Sequence, residues 1–406
     1  MPEDAQAAST ATPRLWTRDF ILLMMSTFAL FASFYFLMPV LPIYVSERLG
    51  GDQATIGFIA GLFTATAVVF RPIGGFLMDR FGRRGVHLIA LAAFAMAIGS
   101  YALAGTLGVL IAVRLLHGLP WGAANTAANT VAADLVPRQR RGEGIGLFGL
   151  GQTLAMAVAP ATAIIIVGED RFVLLFLSAA ALATVALFLA MLIRHPRVAN
   201  PGVRLRLNTL FDARVAWVAV AVSFVMAGYS SVSSFVVVYA RDLGISNPGL
   251  FFTLQAAGLV ASRLTAGRLL DRHGPGRVVG AGLILLAICF GLLSLGSPGY
   301  FASAVFLGLG FGAVVPSFLA MAPSMVPADR RGAAYATVLG ALDAGFGLGA
   351  YLLGRVALAL DYGPMYLVAG ALLAIPAVVL VTRIVPDHRR LQALQVATGV
   401  GSSAQQ

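Results

Sequence analysis

The chain has 406 residues, of which 59% are apolar and only 11% charged, and it carries a formal net charge of +11. A soluble domain carries about 25% charged residues, whereas here the apolar residues form long runs near the ~20 residues that a helix needs to cross a bilayer. A soluble globule is therefore excluded, as is a membrane β-barrel, which would show short segments alternating apolar and polar residues.

The basic excess does not point to nucleic acid. All 28 basic residues are arginine, and they fall in short loops between apolar runs rather than on one face. The single cysteine, Cys289, lies inside an apolar run, so neither an intrachain disulfide nor a cysteine metal cluster is expected. No Gly-x-x-x-x-Gly-Lys nucleotide cradle occurs, and there is no lysine to complete one, which argues against an enzyme and against built-in ATP hydrolysis. No metal or cofactor is expected.

Hydropathy predicts twelve spans, at 20–45, 54–78, 86–104, 107–135, 143–167, 172–193, 215–240, 248–270, 277–296, 300–325, 333–358 and 363–384. The stretch Met1–Thr17 is polar, and the first apolar run is too long for a signal-peptide core, so it reads as a retained span. The expected organisation is an N-terminal bundle of six helices (1–193), a polar linker (194–214), a C-terminal bundle of six helices (215–386) and a polar tail (387–406). If both termini are cytoplasmic, the inner segments hold Arg80, Arg83, Arg84, Arg138, Arg140, Arg141, the linker arginines, Arg268, Arg272, Arg277, Arg330 and Arg331, while the outer loops hold only Arg48, Arg171 and Arg241. Short inner loops accumulate Arg and Lys, so this orientation is the expected one.

Span 1 places Met24, Phe28, Phe31, Tyr35 and Met38 on one face. Such soft and aromatic side chains suit varied apolar ligands, or they are ordinary helix packing. Spans 2 and 3 are joined by Gly75-Phe-Leu-Met-Asp79-Arg80-Phe-Gly82-Arg83-Arg84, with Arg71 eight residues before Asp79. In span 4, Arg114, His117, Trp121, Asn125 and Asn129 recur at spacings of 3, 4, 4 and 4. A polar stripe facing lipid is costly, so it looks either onto a water-filled cavity or into an interhelical hydrogen-bond network. Span 5 offers Gln152, span 7 Tyr229 and Ser233, and span 8 Gln255 and Arg263 as further cavity residues, with interhelical bonding as the alternative for the uncharged ones.

The chain repeats itself. The loop after span 2 returns as Gly267-Arg-Leu-Leu-Asp271-Arg272-His-Gly274-Pro-Gly-Arg277, offset by 192, with Arg263 in the place of Arg71. Val136-Pro137-Arg-Gln-Arg-Arg141-Gly142 returns as Val326-Pro327-Ala-Asp-Arg-Arg331-Gly332, offset by 190. Asp343 is the one acid near a span centre, roughly 16 Å beyond Gly332 along the helix. Its counterpart in the first half is Thr153, so symmetry does not impose the acid. A carboxylate there can take up and release a proton, or it can form a static pair with Arg71.

The stretch from Gly75 to Arg84 resembles motif A of the major facilitator superfamily, and its loosened second copy strengthens the likeness. Leu110-x-x-x-Arg114-x-x-x-Gly118 resembles motif B, and Pro39-Val40-Leu41-Pro42 is similar to the first-span motif of the twelve-span drug:proton antiporter branch. Span 5 departs from the antiporter motif C: Pro160 is kept, but alanines such as Ala155, Ala159 and Ala163 stand where glycines belong. At the end of span 6, Ile193-Arg-His-Pro-Arg197 lacks the sugar-porter signature.

The resemblance implies an all-α membrane protein with twelve transmembrane helices in two parallel six-helix pseudo-repeats around a central cavity lined by spans 1, 4, 7 and 10. It implies a monomeric secondary transporter in a bacterial cytoplasmic membrane, driven by a proton gradient, exporting small amphiphilic or drug-like compounds by alternating access. A specific polar metabolite (an organic acid, a metal-chelating compound or a sugar) is the alternative substrate. The partners are the substrate, protons and the lipid bilayer, with no nucleic acid. Proton coupling would rest on Asp343, Arg114, Arg71 and His117. Gating would rest on Gly75, Asp79, Arg80, Gly82, Arg83, Arg84, Asp134, Asp271, Arg272 and Arg331. By resemblance, span 2 neighbours span 11, Arg83 pairs with Asp134, and Asp79 meets the start of span 11 near Arg331 and Gly332.

Overall fold

In the computed structural model, residues 14–168, 170–195, 211–327 and 330–386 are described, without the side chains of 138, 141, 142, 266–268, 270–273, 275, 331 and 332. The linker between 196 and 210 and the tail from 387 lie outside the described residues. The first half comprises α1 (Arg18–Arg48), α2 (Gln53–Phe81), α3 (Arg83–Gly99), α4 (Leu107–Leu135), α5 (Arg141–Val167) and α6 (Phe172–Met191). The second comprises α7 (Ala216–Asp242), α8 (Gly249–His273), α9 (Pro275–Ser294), α10 (Ser297–Met321), α11 (Arg331–Leu360), and a last span formed by α12 (Tyr362–Leu372), α13 (Ala374–Val379) and a π-helical turn, Leu380–Ile384. No strand occurs among the described residues.

Local chemistry sets the boundaries. Thr17 accepts from the Phe20 amide at 3.2 Å and Asp52 from the Thr55 amide at 2.7 Å, so each caps the free N–H groups that open its helix. Gly82 turns α2 into α3 with φ 92° and ψ 156°, and Gly274 turns α8 into α9 with φ 76° and ψ 159°. Only glycine adopts that conformation readily, so the two matching loops share a backbone device as well as a sequence.

Among the described residues, eleven helices are long and apolar enough to cross a membrane. The twelfth is α8, 25 residues long, whose mean apolarity is lowered by Arg263, Arg268, Asp271 and Arg272. It still packs as a span, against α9 and α10. In the first half α1 packs on α5 and α6, α2 on α4, and α3 on α4 and α6; in the second, α7 packs on α11 and α12, and α10 on α8 and α9. The halves meet mainly where α1 packs on α7, α2 on α11 and α5 on α8, and the last two seams are counterparts in the repeat.

The seams close at one end. Call the end where α1 begins and the last span finishes the terminal face. At the opposite face, Arg241 of α7 donates to Glu47 of α1. There too a Cβ on Gly354 would stand 2.6 Å from the Gln53 carbonyl oxygen, so α2 and α11 touch backbone to backbone. In the α1–α7 seam Ser233 also donates to the Met38 sulfur at 3.4 Å. These contacts close the opposite face.

Candidate functional site

At mid-membrane depth the α2–α11 seam holds one ion pair, Arg71 Nε to Asp343 Oδ2 at 2.5 Å, with side chains 17% and 24% exposed. Neither of these two atoms makes a well-formed hydrogen bond, so the contact is held by charge. Arg71 directly precedes Pro72, in the second half of a helix whose first half is packed on α11. Removing one member of a sealed pair leaves a buried charge at a cost of about 3–5 kcal/mol. The residual exposure here lowers that cost and gives a proton a way in.

Aromatic side chains gather beside the pair. Phe346, one turn beyond Asp343, has its ring centroid 6.3 Å from that of Tyr229, and Phe311 stacks on Tyr229 at 4.3 Å. Gln255 of α8 and Tyr35 of α1 both lie near the Tyr229 hydroxyl. Tyr35, Tyr229 and Gln255, singled out in sequence, are thus brought together. Phe311 and Phe346 were not singled out and complete the group. Phe28 and Met38 are partly buried against the core, so the face of α1 stays half open.

The α4 stripe does not line an open cavity. Arg114 is 4% exposed and His117 fully buried. Arg114 Nη1 donates to the Tyr101 hydroxyl at 3.2 Å, and that hydroxyl lies 2.9 Å from His117 Nδ1. The Tyr101 hydroxyl thus bridges Arg114 and His117, while Nε2 of His117 is buried with no hydrogen-bond partner among the described residues. The Arg114 guanidinium also lies 4.4 Å over the Phe63 ring. Trp121 stacks on Phe34 at 4.1 Å, Phe31 meets its edge at 5.1 Å, and both are packed core rather than ligand wall. Asn129 bonds Asn125 through its side-chain amide at 2.7 Å. The interhelical network is therefore the reading that the geometry favours, because α2 and α3 cover this face of α4. One exit remains: Arg114 borders a 20 Å³ space between α1 and α7, beside Met38 and Ser233, with room for about one water.

Arg263 is exposed and has no hydrogen bond or ion pair among the described residues. An unpaired arginine near a span centre costs about 2.5–3.5 kcal/mol. Gln152 is half-buried in α5, and neighbouring Thr153 returns its hydroxyl to the Gly149 carbonyl at 3.0 Å.

At the terminal face Arg83 is the hub of motif A: Nη1 reaches Asp79 at 2.5 Å and Nε reaches Asp134 at 3.1 Å. Arg84 donates to the Met191 carbonyl at 3.3 Å, and Arg80 lies over Phe81. The expected contact of Asp79 with the start of α11 falls on Arg331 and Gly332, whose side chains lie outside the described residues; Asp79 pairs with Arg83 across the turn. The side chains of Asp271, Arg272 and Arg331 lie outside the described residues, and Gly75 has open space where a Cβ would stand. Two contacts went unforeseen: His87 Nδ1 lies 3.0 Å from His195 Nε2, and Arg330 reaches Asp212 at 3.1 Å.

A pair of repeated helical bundles, meeting at seams that carry ionisable groups at mid-membrane, defines a transporter rather than an enzyme. The chain belongs to the Major Facilitator Superfamily, whose family model matches residues 23–260 and 218–401. It is a multi-pass secondary transporter of small molecules. The staphylopine export protein of Staphylococcus aureus is 24% identical over 83% of this chain and 89% of its own length. A homologue of the multidrug resistance efflux pump PmrA from Lactococcus lactis is 25% identical over 77% of this chain and 82% of its own. The solved structure of the nucleoside transporter NupG has the same fold, with a TM-score of 0.71 at 17% identity, covering 89% of this chain and 98% of that one.

Proposed function

We propose that the protein exports small amphiphilic compounds in exchange for protons, by alternating access across a bacterial cytoplasmic membrane, as a monomer. The observation that carries this reading is the Arg71–Asp343 pair, which ties α2 to α11 across the seam. Protonation of Asp343 cancels its charge and frees Arg71, which weakens the seam that holds the opposite face shut. Loss of the proton restores the pair. The proton gradient then drives the cycle without any cofactor. The Arg71 side supplies the cation that discharges Asp343, and the half-open aromatic group of Tyr35, Tyr229, Phe311 and Phe346 supplies apolar contact for the substrate.

With arginine concentrated on the terminal face, that face is assigned to the cytoplasm. The state closed at the opposite face is then inward-facing. The two halves, 1–193 and 215–386, act as the rocking bodies, with the motif A cluster around Arg83 as the inner gate. Two relatives named as exporters support the direction.

Proton release from the purified protein tests the reading. Lipophilic cations, organic acids, chelators and sugars are added in weakly buffered detergent, with the Asp343→Asn variant alongside. Release on binding one class, lost in the variant, is expected. Binding without release by the wild type contradicts proton exchange.

A further inference from the structure

The repeat leaves one pair unfinished. Arg71 on α2 meets Asp343 on α11, and the counterpart seam sets α8 against α5. Arg263 stands at the counterpart of Arg71, and Thr153 stands at the counterpart of Asp343. Thr153 returns its hydroxyl to its own helix at 3.0 Å, so it offers Arg263 no charge. Arg263, Ala256, Phe252 and Gly249 fall on one stripe of α8, at spacings of 7, 4 and 3. That stripe packs where a Cβ on Gly249 would stand 3.7 Å from Ile164 of α5, and where Phe252 is buried. Arg263 is therefore an exposed cation with no ion-pair partner among the described residues, on the stripe of α8 that meets α5.

We infer that Arg263 binds an anionic group of the transported compound, a carboxylate or phosphate, which stands in for the acid that Thr153 does not supply. The inference rests on the export reading and narrows it: the amphiphile is an anion or zwitterion, not a simple lipophilic cation. The ligand's anionic group sits in the α5–α8 seam, and its apolar part reaches the Tyr229 and Gln255 side of α8. A guanidinium matches a planar carboxylate with two parallel hydrogen bonds, and such charge-assisted bonds are about twice as strong as neutral ones. Substrate and Asp343 then hold equivalent places in the two seams. The first half-cycle is closed by a proton, the second by the cargo.

The test is calorimetric titration of the purified full chain with N-octanoylglycine, its methyl ester and octyltrimethylammonium. The acid is expected to bind tightest, by about tenfold or more over the ester, as one charge-assisted pair supplies. Arg263→Gln should erase that preference, Arg263→Lys should keep most of it, and Thr153→Asp should block the acid by pairing with Arg263. Thermal unfolding of each variant separates a lost site from a lost fold. Failure of the acid to bind, an ester that binds as tightly, or a preference that survives Arg263→Gln or Thr153→Asp overturns the inference. A wild type that prefers the acid through Arg263, but does not drive transport with protons, overturns only the export reading.

Discussion

Arg71 and Asp343 are 272 positions apart in the chain and 2.5 Å apart in the structure, and their contact bridges the two halves at mid-membrane depth. An ion pair in a seam that must open differs from one inside a bundle. It is strong enough to bias the equilibrium and weak enough, with both side chains partly exposed, to be broken by a single proton.

Arg83 holds Asp79 and Asp134 together on the terminal face, and both partners belong to the first half. Arg83→Ala removes a gate component without touching the aromatic group. Turnover should fall several-fold, stability should drop by about 1 kcal/mol because the pair is partly solvated, and the set of ligands bound should not change. Transport kinetics and a binding panel check this. An altered ligand set contradicts the gating role.

Glu47 and Arg241 close the opposite face from α1 to α7. An exposed pair is worth about 0–1 kcal/mol, at most about a fivefold change in the open fraction. A cysteine placed at Val238, beside the 260 Å³ crevice that these two residues border, reports the opening. Native Cys289 is fully buried and gives little background. Glu47→Gln should raise labelling by an impermeant maleimide about two- to fivefold. Unchanged labelling would show that the pair does not bear on closure.

Two glycines separate folding from alternation. Gly354 meets Gln53 across the seam, whereas a Cβ on Gly310 would stand 2.8 Å from the Gly282 carbonyl oxygen inside the second half. Gly354→Val should leave folded yield near wild type and shift the protein toward the state open at the opposite face. Gly310→Val should cost about 1–3 kcal/mol of stability through overpacking. Size-exclusion profiles and the same maleimide assay read the two effects.

Burial holds the His195 imidazole below its ordinary value, with Arg84 adding to the effect and the Ile193 carbonyl and Asp19 opposing it. The folded chain therefore takes up this proton less readily than the unfolded chain. The stabilisation is fully present above about pH 6.5, the unfolded value, and is lost as pH falls through the lowered folded value. The neutral ring donates from Nδ1 to the Ile193 carbonyl and accepts from His87 at Nε2, so protonation opposes the His87 contact. The melting temperature should fall on acidification below about pH 6, and His195→Gln should flatten that fall. An equal fall in the variant contradicts the assignment.

Spans and loops were legible because a bilayer demands long apolar runs and arginine marks the turns; the predicted span 107–135 coincides with α4. The repeat could be read from two offset motifs, and the neighbours Arg71 and Asp343 followed from it by resemblance. The inward turn of Arg114 and His117 was not readable. Their shared partner, Tyr101, lies in the short turn after α3, where an aromatic residue at a membrane interface gives no separate signal. Glu47–Arg241 was equally hidden, since its partners are 194 residues apart, at the ends of α1 and α7. Phe311 and Phe346 were invisible because an aromatic side chain in an apolar span reads as packing until a neighbour is seen.

Uphill transport by Asp343→Asn is the most direct measurement. Wild type and variant are reconstituted in vesicles, and accumulation of a bound compound is followed with and without an imposed pH gradient, beside simple exchange of labelled for unlabelled compound. The account predicts that the variant keeps exchange but loses gradient-driven accumulation by about tenfold or more, since one lost protonation site removes the driving step. Accumulation at the wild-type level would contradict it and leave Asp343 a static partner of Arg71.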